Sequence, residues 1–328
     1  MRNIMLSCTA LAALAIAGLA TGDAAIAAPA KVWVSSFGTD SGTCGAITAQ
    51  CRTFQQAHDN VASGGEIGVS TAGDYVPLTI NQSINITNDG AGEAGVQVSA
   101  GHSGLTISAL AGDMVSLHGL TIDGQGIGAQ GIRITTASAV HIQNCVIRNF
   151  EASPGNGVGI FLSPGGNTQM FVSDTIIFNN GSTATTGGIV IEPTGTGSAN
   201  VVLDRVHLEN NVRGLWADGS LSTGNGVHVI LRDSVSSGNA GDGILATSAS
   251  GKAPAFVVVD RSTTANNAGA GIAANGPRAV VLLRDSFITR NGSGVSTVNG
   301  GQLISYANNA NNNNLGAEGV ATGTFAPF

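Results

Sequence analysis

The chain has 328 residues, including 48 glycines, and only 10% of its residues are charged and 4% aromatic. A hydrophobic content of 42% excludes a disordered chain, but the core must consist mainly of small aliphatic side chains. The net charge of −7 argues against free nucleic acid as a partner, because phosphate binding needs a basic face. An acidic polysaccharide would also be repelled unless a local basic patch or a cation intervenes.

Residues 1–27 have the pattern of a signal peptide. Arg2 gives a short positive region, residues 4–19 are an apolar stretch rich in Ala, Leu and Ile, and Ala25-Ile26-Ala27 fits the small-x-small cleavage rule. A membrane helix is the less favoured alternative, because the stretch is short, Ala-rich and terminal. No second apolar run is long enough to span a bilayer. We therefore expect an exported protein, secreted or periplasmic, without a membrane span.

Three cysteines follow the leader. Cys44 and Cys51 are close in sequence and flank a polar loop, so an oxidising environment after export favours a disulfide between them. Cys145 lies in an apolar strand, where we expect a buried free thiol. None of these cysteines has the spacing of a zinc site.

Residues 28–113 are predicted to form an N-terminal cap and the first coils of a repeat structure. Within them, residues 52–61 form a short helix candidate, with Phe54, Ala57 and Val61 on one face. Such a helix would cover the open end of the first coil and block edge-to-edge pairing. Strands are predicted around residues 66–69, 76–80, 84–87, 96–98 and 105–107.

Residues 114–319 are predicted to be repeats, and residues 320–328 a short C-terminal tail. Units with a period of roughly 25 to 30 residues begin near Val115, His141, Phe171, Val201, Val229, Val257 and Val281. A polar corner carries Asp174, Asp204, Asp233, Asp260 and Asp285. Six residues after each corner stands an asparagine, at Asn180, Asn210, Asn239, Asn266 and Asn291. A pair of Gly and an aliphatic residue then opens a third strand, at Gly131-Ile132, Gly159-Ile160, Gly188-Ile189, Gly214-Leu215, Gly243-Ile244, Gly271-Ile272 and Gly294-Val295.

These columns predict an all-β fold, a right-handed parallel β-helix with a short N-terminal capping helix. One coil cannot bury its apolar face alone, whereas stacking coils at about 4.8 Å pairs every strand with its neighbours. Stacked asparagine side chains would hydrogen-bond along the column. The stacked aspartates would be neutralised by neighbouring arginines, which are Arg205, Arg232, Arg261 and Arg284. Long, variable coils favour the right-handed form over the left-handed one.

Two N-terminal segments carry a resemblance to known proteins. They are Val32-Trp33-Val34 with Gly38-Thr39-Asp40 and Cys51-Arg52-Thr53-Phe54-Gln55-Gln56-Ala57, and Glu66-Ile67-Gly68-Val69 with Gly73-Asp74-Tyr75. They resemble the first strand, capping helix and first coil of the pectin-lyase-like superfamily of right-handed parallel β-helix proteins. That superfamily includes pectate and pectin lyases, polygalacturonases, pectin methylesterases, alginate epimerases, phage tailspikes and adhesins. The resemblance therefore implies the fold, and it gives only an expectation of polysaccharide chemistry.

The third strands predict a functional face, because side chains along a strand alternate inward and outward. One outward column reads Arg133, Phe161, Val190, Trp216, Leu245 and Ala273, and the next reads Thr135, Ser163, Glu192, Asp218, Thr247 and Asn275. Glu192 and Asp218 are expected on successive coils, about 5 Å apart. Trp216 adjoins Asp218, and an aromatic ring beside carboxylates suits a sugar, which has both apolar faces and hydroxyl groups.

These residues form the candidate site. Glu192 and Asp218 are the candidate catalytic carboxylates, with His207 assisting; the candidate substrate-binding residues are Trp216, Arg213, Phe161 and Arg133. Two carboxylates about 5 Å apart can divide the acid and nucleophile roles of a retaining glycosidase. Alternatively, the two carboxylates can bind Ca²⁺ as a cofactor. The alternative is a pair of solvated surface carboxylates beside a half-exposed tryptophan.

The sequence is compatible with three alternative functions. The favoured one is an exported protein that binds a polysaccharide or cell-surface glycan along the flank of the helix. The second is a polysaccharide hydrolase, lyase or epimerase that uses Glu192 and Asp218, and the third is a structural or adhesive spacer. Known enzyme patterns of the superfamily are missing, since there is no Asp-Asp pair and the two lysines, Lys31 and Lys252, lie outside any carboxylate cluster. The sequence leaves catalysis and oligomeric state open.

Overall fold

The computed structural model describes residues 28–152 and 155–325. They form a parallel β-solenoid, in which strands of successive coils stack into three long sheets. The predicted signal peptide, residues 1–27, lies outside the described residues. Within the described ranges, no helix is both long enough and apolar enough to cross a bilayer.

Each complete coil contributes one strand to each sheet in turn, and the first sheet has additional strands at both ends. The first sheet contains, in order along the solenoid, Lys31–Val34, Gly65–Val69, Ile84–Thr87, Met114–His118, Ala139–Gln143, Asn167–Ser173, Ser198–Asp204, Gly226–Arg232, Ala255–Asp260, Ala279–Arg284, Gln302–Ser305 and Gly323–Thr324. The second sheet contains Gly73–Asp74, Ala94–Gln97, Leu120–Asp123, Val146–Arg148, Ile176–Phe178, His207–Glu209, Val235–Ser237, Thr263–Ala265, Phe287–Thr289 and Ala310–Asn312. The third sheet contains Leu78–Ile80, Leu105–Ser108, Gln130–Thr136, Val158–Leu162, Gly187–Ile191, Leu215–Asp218, Ile244–Thr247, Ala270–Asn275 and Ser293–Val298.

The core is a set of aliphatic columns inside the three sheets. In the third sheet the buried column continues through successive coils in the predicted register, as Ile132, Ile160, Ile189, Leu215, Ile244, Ile272 and Val295. Alternation along each strand directs every second side chain inward, so small aliphatic residues fill the interior at every level. The predicted all-β solenoid is confirmed.

An asparagine ladder runs inside the turn between the second and third sheets. It consists of Asn180, Asn211, Asn239, Asn267, Asn291 and Asn314. In each step the side-chain oxygen of the next asparagine accepts the backbone N–H of the one before it. At the C-terminal end the carboxylate of Glu318 accepts the backbone N–H of Asn314 at 3.2 Å and so closes the ladder.

Two of the predicted ladder positions, Asn210 and Asn266, are wrong. Each precedes the true ladder residue by one position and has a positive φ, 54° and 56° respectively. Asparagine tolerates this left-handed backbone better than most residues, because its short polar side chain bonds locally. These two asparagines therefore shape the corner, and Asn211 and Asn267 form the ladder.

Charges alternate along the corner between the first and second sheets. The corner residues, all with positive φ, are Asp174, Arg205, Asp233, Arg261 and Asp285. The final strand residues of the same coils are Ser173, Asp204, Arg232, Asp260 and Arg284. The prediction of a column of stacked aspartates is therefore wrong, because Asp204 and Asp260 lie one position before the corner. Opposite charges are neighbours both along and across the two columns, which removes the repulsion of stacked carboxylates.

The N-terminal cap contains the helix Phe54–Asn60 within the predicted residues 52–61. The Thr53 hydroxyl accepts the backbone N–H of Gln56, and the Asp40 carboxylate accepts that of Thr53 at 3.0 Å. Phe54 packs on Tyr75 with 4.9 Å between ring centroids. The helix thus covers the first coil, as predicted.

The cysteines are placed as predicted. Cys44 and Cys51 form a disulfide beside the capping helix, and the Asn60 side-chain amide donates to the Cys44 carbonyl at 2.9 Å. Cys145 is a buried free thiol.

The other end of the chain differs from the predicted tail of residues 320–328. Gly323–Thr324 pairs with Ile304 and Ser305 as the last strand of the first sheet. Residues 326–328 lie outside the described part.

Candidate functional site

The outer face of the third sheet carries the column that the sequence predicted. Strand pairing aligns Arg133, Phe161, Val190, Trp216, Leu245 and Ala273 one above another. Successive strands lie about 4.8 Å apart, so Arg133 and Trp216 are about 14 Å apart along the solenoid. The column therefore presents two aromatic side chains and a cation along one line.

A groove of about 320 Å³ lies over this column. Its lining residues are Gln130, Arg133, Gly155, Asn156, Val158, Phe161, Thr185, Val190, Glu192 and Trp216. Four of the predicted residues, namely Arg133, Phe161, Glu192 and Trp216, thus meet in one place.

Gly155 and Asn156 form one wall of the groove. Ser182 donates to the Ala152 carbonyl at 3.0 Å, and the Gln130 side-chain amide donates to the Asn156 side-chain oxygen at 3.2 Å. Sequence reasoning missed Gln130, which is the first residue of its strand in the third sheet. It also missed Asn156 and Thr185, because they lie in loops of variable length that no repeat register aligns.

Trp216 is held at the floor of the groove from two sides. Its indole N–H donates to the Thr247 hydroxyl at 3.0 Å, and the Arg213 guanidinium lies 5.2 Å from its ring centroid. Arg213 also approaches Asp242, with 3.9 Å between Nε and Oδ2. These contacts fix the orientation of the ring and leave it partly exposed to the groove, as a stacking surface requires.

Glu192 faces the groove, and its half-buried position changes its titration. Burial raises the pKa of Glu192, and the negative charge of Asp218 raises it further. Within the described residues the Glu192 carboxylate has no hydrogen-bond or ion-pair partner. The structure therefore offers a free carboxyl group to a ligand.

Asp218 occupies the neighbouring coil but does not line the groove. It is only 5% exposed, and one carboxylate oxygen accepts the Ser220 backbone N–H at 2.8 Å. The predicted closeness to Glu192 is reflected in the raised pKa of Glu192, yet the two carboxylates face different surroundings. Asp218 thus acts on Glu192 through its charge.

Arg133 lines the end of the groove nearest the N-terminus. In the part of the chain that the structure describes, it is the one arginine whose side chain has no hydrogen-bond or ion-pair partner. Its exposed guanidinium gives the groove a local positive charge on an acidic protein.

His207 is not part of this group. It lies in the second sheet, is exposed, and contacts the Glu209 carboxylate through Nδ1 at 2.9 Å. The prediction placed His207 near the carboxylates because it precedes Arg213 in the same coil. The coil turns between them, so the imidazole and the groove lie on different faces.

A second depression of about 280 Å³ continues the same face toward the N-terminus. It is lined by Gln55, Pro77, Leu78, Thr79, Ser99, His102, Ser103 and Thr106, and Thr106 pairs in register with Arg133. Gly104-Leu105 continues the Gly-aliphatic pattern one coil before Gly131-Ile132, and Pro77-Leu78 in the preceding coil departs from it.

Metal binding needs several converging ligands. Across residues 28–152 and 155–325, no three His, Cys, Asp or Glu side chains converge on a point that could hold a metal ion. Of the predicted carboxylate pair, Glu192 lines the groove and Asp218 does not, so the two do not converge there as Ca²⁺ ligands.

Comparison with solved structures identifies the fold class of the chain. No family model matches the chain, and no curated protein matches it. Among solved structures, pectate lyase Pel9A is similar with a TM-score of 0.65 and 16% identity over 91% of this chain and 80% of that one. An alginate lyase from Paenibacillus sp. str. FPU-7 is similar with a TM-score of 0.56 and 14% identity over 82% of this chain and 94% of that one. The chain therefore has a right-handed parallel β-helix fold of the pectin-lyase-like kind, as predicted.

Proposed function

We propose that this protein is exported and binds a polysaccharide along the outer face of the third sheet. The observation that carries the proposal is the groove in which Phe161 and Trp216 share one column with Arg133, beside Glu192. Aromatic rings stack on the apolar faces of sugars, and charged or amide side chains bond their hydroxyl groups. The two solved structures of similar fold are named as lyases of pectate and alginate, both polysaccharides.

The shape of the site favours a chain-like ligand. The column runs along the solenoid axis for about 14 Å between Arg133 and Trp216, and the depression around Thr106 extends it. A linear polymer that lies along this line contacts the groups of several coils at once, as repeat proteins with long surfaces bind long ligands.

Binding without catalysis is the form that the geometry supports best. A carboxylate pair that divides acid and nucleophile roles must present both groups to the same bond. Asp218 is buried and already hydrogen-bonded, and His207 lies on another face. Glu192 is thus the one predicted catalytic residue in the groove.

A second candidate function, a polysaccharide-processing enzyme, is favoured by one observation. Burial and the nearby Asp218 charge raise the pKa of Glu192, and a raised pKa is what a general acid needs near neutral pH. Glu192 would then donate a proton to the leaving oxygen.

Export is supported by the disulfide between Cys44 and Cys51, since such bonds persist in oxidising compartments. Together with the leader-like residues 1–27, it favours a secreted or periplasmic location.

The test is a polysaccharide panel, neutral and acidic, with and without Ca²⁺, in which retention and depolymerisation are both recorded. We expect retention that Trp216→Ala weakens about tenfold or more, because stacking on one ring contributes on the order of 1 to 3 kcal/mol. The matched control is Trp33→Ala, which removes the other tryptophan from a different face.

Each outcome selects one function. Retention without cleavage that depends on Trp216 supports binding. Cleavage that Glu192→Gln abolishes makes the protein an enzyme. If no polysaccharide is retained or cleaved, the proposal is wrong and the spacer function is left.

A further inference from the structure

The outer face of the first sheet carries an apolar stripe over six successive coils. The stripe consists of Phe171, Val202, Ile230, Val258, Leu282 and Ile304, aligned by strand pairing. All six side chains are partly or fully exposed, and Ile230 is 45% exposed. In the preceding coils the same column is polar, with Asn85, Ser116 and His141, and the His141 ring stacks on Phe171 with 4.7 Å between centroids. The aliphatic and phenyl part of the column therefore ends at Phe171.

A charged column runs beside the stripe, two residues further along each strand. Over the four middle coils it reads Asp204, Arg232, Asp260 and Arg284. Reversing this order gives Arg, Asp, Arg, Asp, which is the opposite charge at every position. Within one protomer Arg232 already pairs with Asp204, and Arg284 with Asp260, each at 2.9 Å. The alternating order of the column is nevertheless complementary to an antiparallel copy of itself.

The stripe and the charged column share one centre. The midpoint of the six apolar residues lies between Ile230 and Val258. The midpoint of the four charges lies between Arg232 and Asp260, in the same two coils. A two-fold axis along the strands at this point therefore superposes both features on their own reversed copies. An isologous interface requires such self-complementarity.

We propose that the protein forms a two-fold homodimer in which the first sheets pack face to face with antiparallel solenoid axes. Ile230 of one protomer faces Val258 of its partner, and Phe171 faces Ile304. Arg232 lies opposite Asp260, and Asp204 opposite Arg284. A shift by one coil places like charges opposite each other and is disfavoured. A parallel arrangement reverses the strand direction, so the charged column no longer faces its own copy and the complementary charges are not used.

The dimensions of this face indicate how tightly the dimer should associate. Five steps of about 4.8 Å, with strands of six or seven residues in the first five coils and four in the last, give a face of about 24 by 20 Å. This is at the small end of specific protein interfaces, so we expect reversible dimers. The groove over the third sheet stays open in this dimer.

Sedimentation velocity over the low micromolar to millimolar range tests the proposal. We expect a monomer–dimer equilibrium that Ile230→Glu weakens about a hundredfold, because the symmetry buries two unpaired carboxylates. The matched control is Ile176→Glu, which changes a residue of similar exposure, 42%, on the second sheet. A wild-type protein that stays monomeric, or equal effects of the two substitutions, overturns the proposal.

Spin-label distances test the orientation independently. Single cysteines at His228→Cys and Gln302→Cys lie in one outward column next to the stripe. The antiparallel dimer places like backbone positions about 11 Å and about 26 Å apart respectively, from strand and sheet spacings. Equal label-to-label distances at positions 228 and 302 would overturn the antiparallel orientation. Cys145 does not compete for the label, because burial raises the pKa of its thiol to about 11.

Discussion

The side-chain amide of Asn239 donates to the side-chain oxygen of Asn267 at 2.7 Å, and the same oxygen accepts the backbone N–H of Asn239 at 3.0 Å. Both residues are almost fully buried. One oxygen thus accepts from two donors of the coil before it, and its bond to the backbone N–H repeats at every step of the ladder. In the turn between the second and third sheets these side chains add to backbone bonds between coils, such as that from the Ala268 N–H to the Asn239 carbonyl.

We expect Asn239→Ala to lower the free energy of unfolding by about 2 to 4 kcal/mol, because it leaves buried donors without a partner. Asn85→Ala is the control, since Asn85 is exposed on the first sheet and should cost less than about 0.5 kcal/mol. Urea denaturation measures both. Equal costs for the two substitutions would show that the ladder contributes nothing to stability.

The alternating corner charges predict acid sensitivity. Hydrogen bonds from Arg205 hold the pKa of Asp174 below its ordinary value, and Arg261 does the same for Asp233. A carboxyl with a lowered folded-state pKa contributes stability above its unfolded-state pKa, and this is lost as pH falls through the folded value. We expect the urea midpoint to fall below about pH 4, and less steeply in Asp174→Asn.

High salt should reduce that pH effect, because the corner ion pairs are exposed and screened. A midpoint that does not change between pH 4 and 2 would contradict the account of the corner.

Glu192 is expected to cost stability at neutral pH. Its raised folded-state pKa means that folding opposes ionisation, so stability falls as pH rises from the unfolded-state value through the folded one. Glu192→Gln should therefore stabilise the protein at pH 7 and have little effect below pH 4. Thermal unfolding at both values measures this, with Glu93→Gln, an exposed carboxyl, as the control. If Glu192→Gln instead destabilised the protein at pH 7, the ionised Glu192 carboxylate would not be unfavourable in the folded state.

Removal of the disulfide should loosen one end of the solenoid. The Cys44–Cys51 bond closes a short loop with a separation of 7 residues, for which loop entropy gives about 2.5 kcal/mol. Each coil contacts only its neighbours, so the double change Cys44→Ser with Cys51→Ser acts locally. Hydrogen exchange should accelerate in Lys31–Val34 and Phe54–Asn60 and stay unchanged in Gly226–Arg232. Uniform acceleration along the chain would contradict local coupling.

The fold could be predicted from the sequence because equivalent residues of successive repeats are neighbours in the structure. The Gly-aliphatic pairs fixed the register of the third sheet, and the outward column from Arg133 to Ala273 was predicted residue by residue. Errors arose where two polar residues that suit a corner are adjacent. Asn210 next to Asn211, and Asp204 next to Arg205, left a choice of one position that only the backbone conformation resolves.

The candidate site was predicted in part. Strand alternation placed Glu192 and Trp216 on the same face, but it did not show that Asp218 is buried at the end of its strand. Neither the loop wall at Asn156 nor the turn that separates His207 from the groove follows from a repeat period. The apolar stripe centred on Ile230 and Val258 was overlooked, because both residues resemble their inward neighbours in composition.

Tryptophan fluorescence reports directly on binding in the groove, because the chain has only two tryptophans. Trp33→Phe leaves Trp216 as the sole reporter, and Trp216→Phe leaves Trp33. We expect titration with a retained polysaccharide to shift the emission of Trp216 saturably and to leave that of Trp33 unchanged. An unchanged Trp216 emission during saturated retention would contradict binding in the groove of the third sheet.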